Sequence, residues 1–360
     1  TGRYVHETRF WDNATPYDGS LMNWACHFKE QGVAMAAIGK LDFEQGHDHG
    51  IGEMINVKLR HNIDVTGLFR ESPPERRGGM TSYWKTRPRE PGTILEREAS
   101  ITGDAVNWLR DRRPKDRPWL LSVNYFNPHP KWEPLPDLYE HYRQRIGRLP
   151  ARYCQRFAEL NEVEQAQSIH SCGYEGEDSR IPEIHGAYHA TVEDLDAYIG
   201  RVLDALDEQG IRDDTLVVYA ADHGEMARAH GAWGKISVYE DSIRVPLIIS
   251  GPGIPRGMVV KQPVSLMDVY PTINEALGLD RGLFARGISL MGLACGEKDA
   301  ARPAFVFSEC NMYPRISGSF VIRQDEWKLI YYVDYEPMLF NLREDPEELN
   351  DLVSSETRSP

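Results

Sequence analysis

The run from Thr215 to Lys235, TLVVYAADHGEMARAHGAWGK, holds the densest set of groups able to do chemistry in the chain. Leu216 to Ala221 is a short, nearly continuous apolar stretch, the pattern of a strand buried on both faces of a parallel sheet. Asp222 and His223 stand where it ends, followed at once by Gly224. A hard carboxylate oxygen beside an imidazole is a donor pair that a divalent cation uses, and Lys235 could close over an anionic ligand. In open α/β sheets ligands gather just beyond the carboxyl ends of the strands, which is where these residues fall. The alternative is a strand that simply ends in a turn, with Asp222 capping the next helix.

Two other strand candidates end in polar groups. Val33 to Ile38 runs into Gly39-Lys40, and Trp119 to Tyr125 runs into Asn127-Pro128-His129-Pro130. Alone, Lys40 reads as a solvated strand end, and His129 as a neutral ring fixing a Pro-rich turn. Brought to one sheet edge with Asp222, His223 and Lys235, they would form an electrostatic site for an anionic ester. A metal and two ammonium groups would offset oxyanion charge, with an imidazole beside them. His47, Asp48 and His49 lack supporting partners nearby and read as a polar loop.

The elements that must position these groups follow from periodicity. Thr1 to Ser20 is a loop. Ser20 looks like the N-cap of a helix through about Gln31, stopped by Gly32. Residues 51–100 are charged and turn-rich, including ESPPERRGG, and read as an insertion shaping the rim of the site. Ile101 to Arg113 is a helix with Ala105, Trp108 and Leu109 inward. Residues 134–178 are irregular and acidic. Ile184, Tyr188, Val192, Leu195, Ile199, Val202 and Leu206 keep helical spacing from about Pro182 to Gln209, with Gly210 as the stop. That long helix feeding the strand before Asp222 is the αβ step of a doubly wound sheet. Leu247 to Ser250 is a further strand, and Asp268 to Leu277 a helix with Pro271 in its first turn. From about Ala304 the runs are short and alternating, which predicts a small antiparallel sheet. The fold class is therefore α/β, with an expected division into residues 1–300 and 301–360.

Bulk properties narrow the function. The 360 residues are 41% apolar without an uninterrupted apolar stretch near twenty, so no membrane-spanning helix is expected. The formal charge of −14 argues against a nucleic-acid-binding surface, although a metal and a few lysines can reverse the local field around an anionic ligand. Cys26, Cys154, Cys172, Cys295 and Cys310 are widely spaced without a CxxC pair, and buried free thiols are the expectation. No secretory signal is visible, and the chain is expected in the cytoplasm, possible oligomerisation being left open.

Several of these segments resemble the sulfatase branch of the alkaline phosphatase superfamily. ADHGEMARAHGAWGK, followed after Ile236 by SVYEDSIRVPLIISGPG, is similar to that family's metal-ligating Asp-His (or Asp-Asn) strand end and its continuation through a substrate-contacting Lys. IGKLDF resembles its GK-x-H-x element, PHP its PH-x-P element, and LFNLREDPEELNDL at 339–352 its closing segment. WDNATPYDGS is similar to the choline-sulfatase and phosphonate-monoester-hydrolase neighbourhood of the family.

The resemblance implies an alkaline-phosphatase-like, mostly parallel sheet flanked by helices, with a small antiparallel carboxyl-terminal unit. It implies Lys40, His129 and Lys235 as catalytic groups and Asp222 and His223 as metal ligands. Asn13 would be a substrate contact, unless it only forms an Asx-turn. Asp42 stands where the family usually has His, and a carboxylate there repels a sulfate ester unless it is protonated, paired with Lys40 or aimed at a cationic leaving group. One divalent ion, calcium or manganese, and a formylglycine nucleophile are implied. The formylglycine would derive from a Cys-x-Pro-Ser-Arg segment that these residues do not contain, Cys26 lacking the Pro and Arg offsets. The expectation is a piece of a longer metal-dependent sulfate monoester hydrolase, inactive by itself and taking a small anionic ester. Phosphonate monoester or phosphodiester hydrolysis, and a non-catalytic binding protein that kept the fold, are the alternatives.

Overall fold

The structure, a computed structural model, describes residues 1–11, 16–59, 86–92, 95–155, 159–170, 178–279, 285–297, 302–312 and 315–353, with backbone alone at 169, 170 and 178. Asn13, Cys172 and the ESPPERRGG segment lie outside the described residues.

The first sheet is parallel and three-stranded, in the order β2-β1-β3, from β1 (Ala34–Gly39), β2 (Glu53–Ile55) and β3 (Trp119–Asn124). β1 is its buried centre, because AMAAIG offers small and apolar side chains to both faces. The short helix α1 (Val5–Thr8) precedes α2 (Trp24–Glu30), which leads into β1. The N-cap of α2 is Asn23, whose side chain accepts from Cys26 N, and not Ser20, whose N–H donates instead to Asp18. β2 lies inside the stretch read as an irregular insertion.

One face of this sheet is covered by α3 (Glu96–Asn107), which continues into a π-helical turn at Trp108–Arg112, and by the 28-residue α6 (Ile181–Glu208). Ile101, Ala105, Trp108, Leu109, Ala205 and Leu206 pack there against Ala36 and Ile38. Residues 134–178 are more ordered than their composition suggests. They supply α4 (Pro136–Arg143), which packs along α6, and α5 (Glu162–His170).

β4 (Val217–Ala220) corrects one expectation. It pairs antiparallel with β5 (Leu247–Ser250), and its residues are half-buried or exposed instead of buried on both faces. Val217 packs on the α3–α6 core, and among the described residues no further strand extends this pair. α7 (Glu240–Ile243) lies between these two strands, and α8 (Val269–Ala276) and α9 (Met291–Ala294) follow β5. No described helix is long and apolar enough to cross a membrane.

The last sheet is antiparallel, ordered β6-β7-β8-β9, from β6 (Phe305–Cys310), β7 (Ser319–Gln324), β8 (Trp327–Tyr332) and β9 (Tyr335–Asn341). Val321, Ile330, Tyr332, Met338 and Phe340 on its inner face share one core with Val163 of α5 and with Met226, Ala229, Ala232, Val238 and Tyr239 around Lys235. Among the described cysteines none is fully buried: Cys26, Cys295 and Cys310 are half-buried and Cys154 is exposed, all as free thiols.

Candidate active site

The Lys40 arm of the site is set by strand register. β1 and β3 run parallel with Gly39 opposite Asn124, so both strands finish at the same level. Gly39 has φ +94°, and a Cβ there would sit 2.2 Å from Asn124 O, so only glycine lets the two backbones approach. Lys40 N then donates to Asn124 O at 2.9 Å, which aims the side chain off the sheet edge. Three residues beyond Phe126, His129 N donates to Phe126 O at 2.9 Å, and its Nδ1–H donates to Pro130 O at 3.0 Å. That bond leaves Nε2 as the unprotonated nitrogen facing outward.

The second arm leaves β4. Gly224 N donates to Ser242 O at 2.7 Å, where a Cβ on Gly224 would meet Asp241 O at 2.1 Å. His223 Nδ1–H donates to Gly224 O at 2.8 Å, which turns Nε2 toward Lys235. Lys235 Nζ lies 3.0 Å from that Nε2, Asp222 Oδ2 3.6 Å from it, and Lys40 Nζ 4.0 Å from Asp222 Oδ2. Lys40, Asp222, His223 and Lys235 thus form one continuous row drawn from two separate sheets. His129 lies within electrostatic reach of Lys40, Lys235 and Asp222.

The electrostatics follow from this crowding. Desolvation first, and then Lys235 and Lys40, hold the His223 imidazole below its ordinary value against the raising effects of Gly224 O and Asp222. Desolvation, Lys40 and Lys235 likewise lower His129, opposed by the Pro130 carbonyl and Asp222. His129 stands at an exposed rim. Both rings are neutral at neutral pH until something negative arrives between the lysines.

The donor set bears on a metal. Asp222 Oδ2 and His223 Nε2 converge, one a hard oxygen and the other a lone pair fixed in place by the Gly224 hydrogen bond, and the Asp222 side chain is 74% exposed toward solvent. These two groups fit one edge of a divalent-cation shell. Among the described residues no cluster of three or more His, Cys, Asp or Glu completes it. Asp42 is half-buried in the loop after Lys40.

Other residues of this site carry no obvious sequence signal. Ser242 Oγ donates to Lys235 O at 2.5 Å, and the next carbonyl, Ile236 O, accepts from Arg315 Nη1 at 3.1 Å. Arg315 is fully buried, and its guanidinium also donates to Glu164 of α5 at 2.6 Å. Glu164 further accepts from Tyr332 at 2.9 Å and from Ser237 at 3.3 Å. Nothing in local pattern points to a pair separated by 151 residues. Glu225, by contrast, sits directly after Asp222-His223-Gly224, and its place beside them is a signal that sequence reading passes over.

Fold and site together define an α/β scaffold that gathers two lysines, an aspartate and a histidine beyond the carboxyl ends of its strands. Residues 1–279 match the Sulfatase family, and residues 228–359 match the family described as N-sulphoglucosamine sulphohydrolase, C-terminal. The chain belongs to the sulfatase family, a class of sulfuric ester hydrolases, within the alkaline phosphatase superfamily. It is 28% identical to arylsulfatase K of Homo sapiens over 380 residues, covering 98% of this chain and 68% of that protein. It is 29% identical to choline-sulfatase of Rhizobium meliloti (strain 1021), covering 98% of this chain and 71% of the relative. The fold is similar to phosphonate monoester hydrolase of Agrobacterium radiobacter, with TM-score 0.76, 24% identity and coverage of 98% and 80%. A structure solved with its substrate D-glucosamine-2-N,6-O-disulfate matches with TM-score 0.74 and 20% identity, covering 100% of this chain and 83% of the other.

Proposed function

We propose that these residues form most of the oxyanion-binding half of a metal-dependent sulfate monoester hydrolase. The observation that supports this reading is the row Lys40–Asp222–His223–Lys235 beyond the strand ends, with His129 within electrostatic reach of it. A divalent ion, calcium or manganese, bound through Asp222 Oδ2 and His223 Nε2 would supply Lewis-acid stabilisation of the ester. Lys40 and Lys235 offset the charge that develops on the non-bridging oxygens, each such donor being typically worth about 3 kcal/mol of barrier. Burial and the two lysines keep His129 neutral. A bound oxyanion offsets the two lysines, raises its pKa and lets Nε2 take up the proton it gives to the leaving oxygen.

The sequence contains no Cys-x-Pro-Ser-Arg, and we propose that these 360 residues do not turn over an ester alone, formylglycine being the nucleophile that completes the site. Asp42 supports a second reading, phosphonate monoester or phosphodiester hydrolysis, because a carboxylate beside Lys40 disfavours a sulfate monoester unless it is paired. The test is side-by-side turnover of an aryl sulfate and an aryl phosphonate by the protein carrying its nucleophile, with and without Lys235→Ala. Faster sulfate cleavage, and a loss of about a hundredfold for the variant, is expected. Faster phosphonate cleavage selects the second reading. No turnover of either ester indicates a binding protein on the same scaffold.

A further inference from the structure

The loop from Glu225 to Gly234 is short, enclosed and strained. Residues 226–233 are all buried, and Ala227, Arg228 and His230 adopt left-handed backbone at φ +43°, +83° and +49°. Left-handed backbone is strained for a non-glycine residue, and such strain persists where surrounding bonds over-determine it. Here those bonds are visible. Ser168 holds Gly231 O at 2.7 Å, His185 holds Ala227 O at 2.7 Å, and Met226 N donates to Gly234 O at 2.8 Å. At the neck of the loop a single carboxylate oxygen, Glu225 Oε1, accepts from Ala227 N at 3.0 Å and from Gly234 N at 2.8 Å.

We propose that Glu225 is the positioning residue for Lys235, a clasp that fixes where the lysine stands relative to His223. The reason is its reach. Glu225 follows His223 by two residues and binds the amide immediately before Lys235. One oxygen therefore spans the neck across which the 3.0 Å Lys235–His223 contact is made. Without it, the N–H groups of buried Ala227 and half-buried Gly234 lose their acceptor, the neck opens and the ammonium leaves the row. Glu225 touches no reacting atom. It acts through Lys235, so the inference rests on the reading of Lys235 as an oxyanion-binding group.

The experiment is calorimetric titration of tungstate, a tetrahedral oxyanion, into the 360-residue chain and four variants, with thermal unfolding recorded for each. Lys235→Ala and Glu225→Ala are each expected to weaken tungstate about tenfold, the scale of one charge-assisted contact. Glu225→Gln, whose amide oxygen can accept both N–H groups, stays within about twofold. The double variant Glu225→Ala/Lys235→Ala binds no more weakly than Lys235→Ala alone, because the clasp has nothing left to place. If Glu225→Ala fails to fold, Glu225→Asp, one methylene too short to span the neck, carries the same comparison. Unchanged affinity in Glu225→Ala, or an effect that multiplies with that of Lys235→Ala, overturns the clasp and leaves Lys235 in the site. Full-strength binding by Lys235→Ala, or no saturable binding by the unaltered chain, overturns the oxyanion site itself and the clasp with it.

Discussion

The two arms of the site are held by different means. Lys40 and His129 stand beyond the ends of β1 and β3, fixed mainly within one sheet and its first turns by the register, Gly39 and two backbone hydrogen bonds, with Glu98 of α3 accepting from Asn127 N at 3.2 Å. Lys235 follows a short buried loop held largely from elsewhere, by Ser168 and Glu164 of α5, His185 of α6, and Arg315 beside the carboxyl-terminal sheet. The first arm is local architecture. The second is a convergence of remote segments, so the antiparallel sheet at the end of the chain is part of what shapes the site.

That contrast can be broken most forcefully at Arg315. Removing one partner of a fully buried ion pair strands the other, so Arg315→Ala should cost about 3–5 kcal/mol in urea unfolding. A loss below about 1 kcal/mol, the range of a surface pair, would mean that the remote clamp contributes little. His185 probes the same arm through pH. Burial first of all holds it down at about 4 from its ordinary 6.5, against the raising effect of Ala227 O. The folded state therefore keeps it neutral while the unfolded chain takes up a proton. Stability from this residue is complete above pH 6.5 and is lost as pH falls from 6.5 toward 4, by about 3 kcal/mol. The check is the difference in unfolding free energy between the unaltered chain and His185→Asn at pH 7 and at pH 4.5. An equal difference at both pH values would show that the ring does not stay neutral.

The local arm should respond more weakly and by another route. Gly39→Ala forces a left-handed alanine against Asn124 O and should cost about 2 kcal/mol, through strain at the end of β1 alone. Hydrogen exchange would locate the damage. Faster exchange confined to β1 and β3 keeps the arms separate, whereas faster exchange across residues 226–235 would join them.

Much of the scaffold is legible in the chain. The apolar run AMAAIG, the 3.6-residue period from Ile184 to Leu206 and the alternation after Ala304 each carry their own periodicity. The elements appear within a few residues of where pattern places them. Patterns mislead where burial depends on a neighbour. Leu216 to Ala221 reads as a central parallel strand because its residues are apolar, but apolarity does not say which strand pairs with it, and β4 pairs antiparallel with β5. Helices α4 and α5 hide in an acidic stretch because their partners lie outside it, α4 packing on α6 and the buried Glu164 of α5 pairing with Arg315. Ser20 and Asn23 are both competent caps, and which of them acts depends on where the chain enters the helix.

The same division runs through the site. Residue type and strand-end position single out Lys40, His129, Asp222, His223 and Lys235, because charge and imidazole chemistry are properties of each side chain on its own. The distances between them, the unprotonated Nε2 of each histidine, the neck closed by Glu225 and the Arg315–Glu164 clamp were settled only by folding. Those depend on which backbone carbonyls and which distant charges arrive beside a group, and covalent order along the chain does not encode that directly.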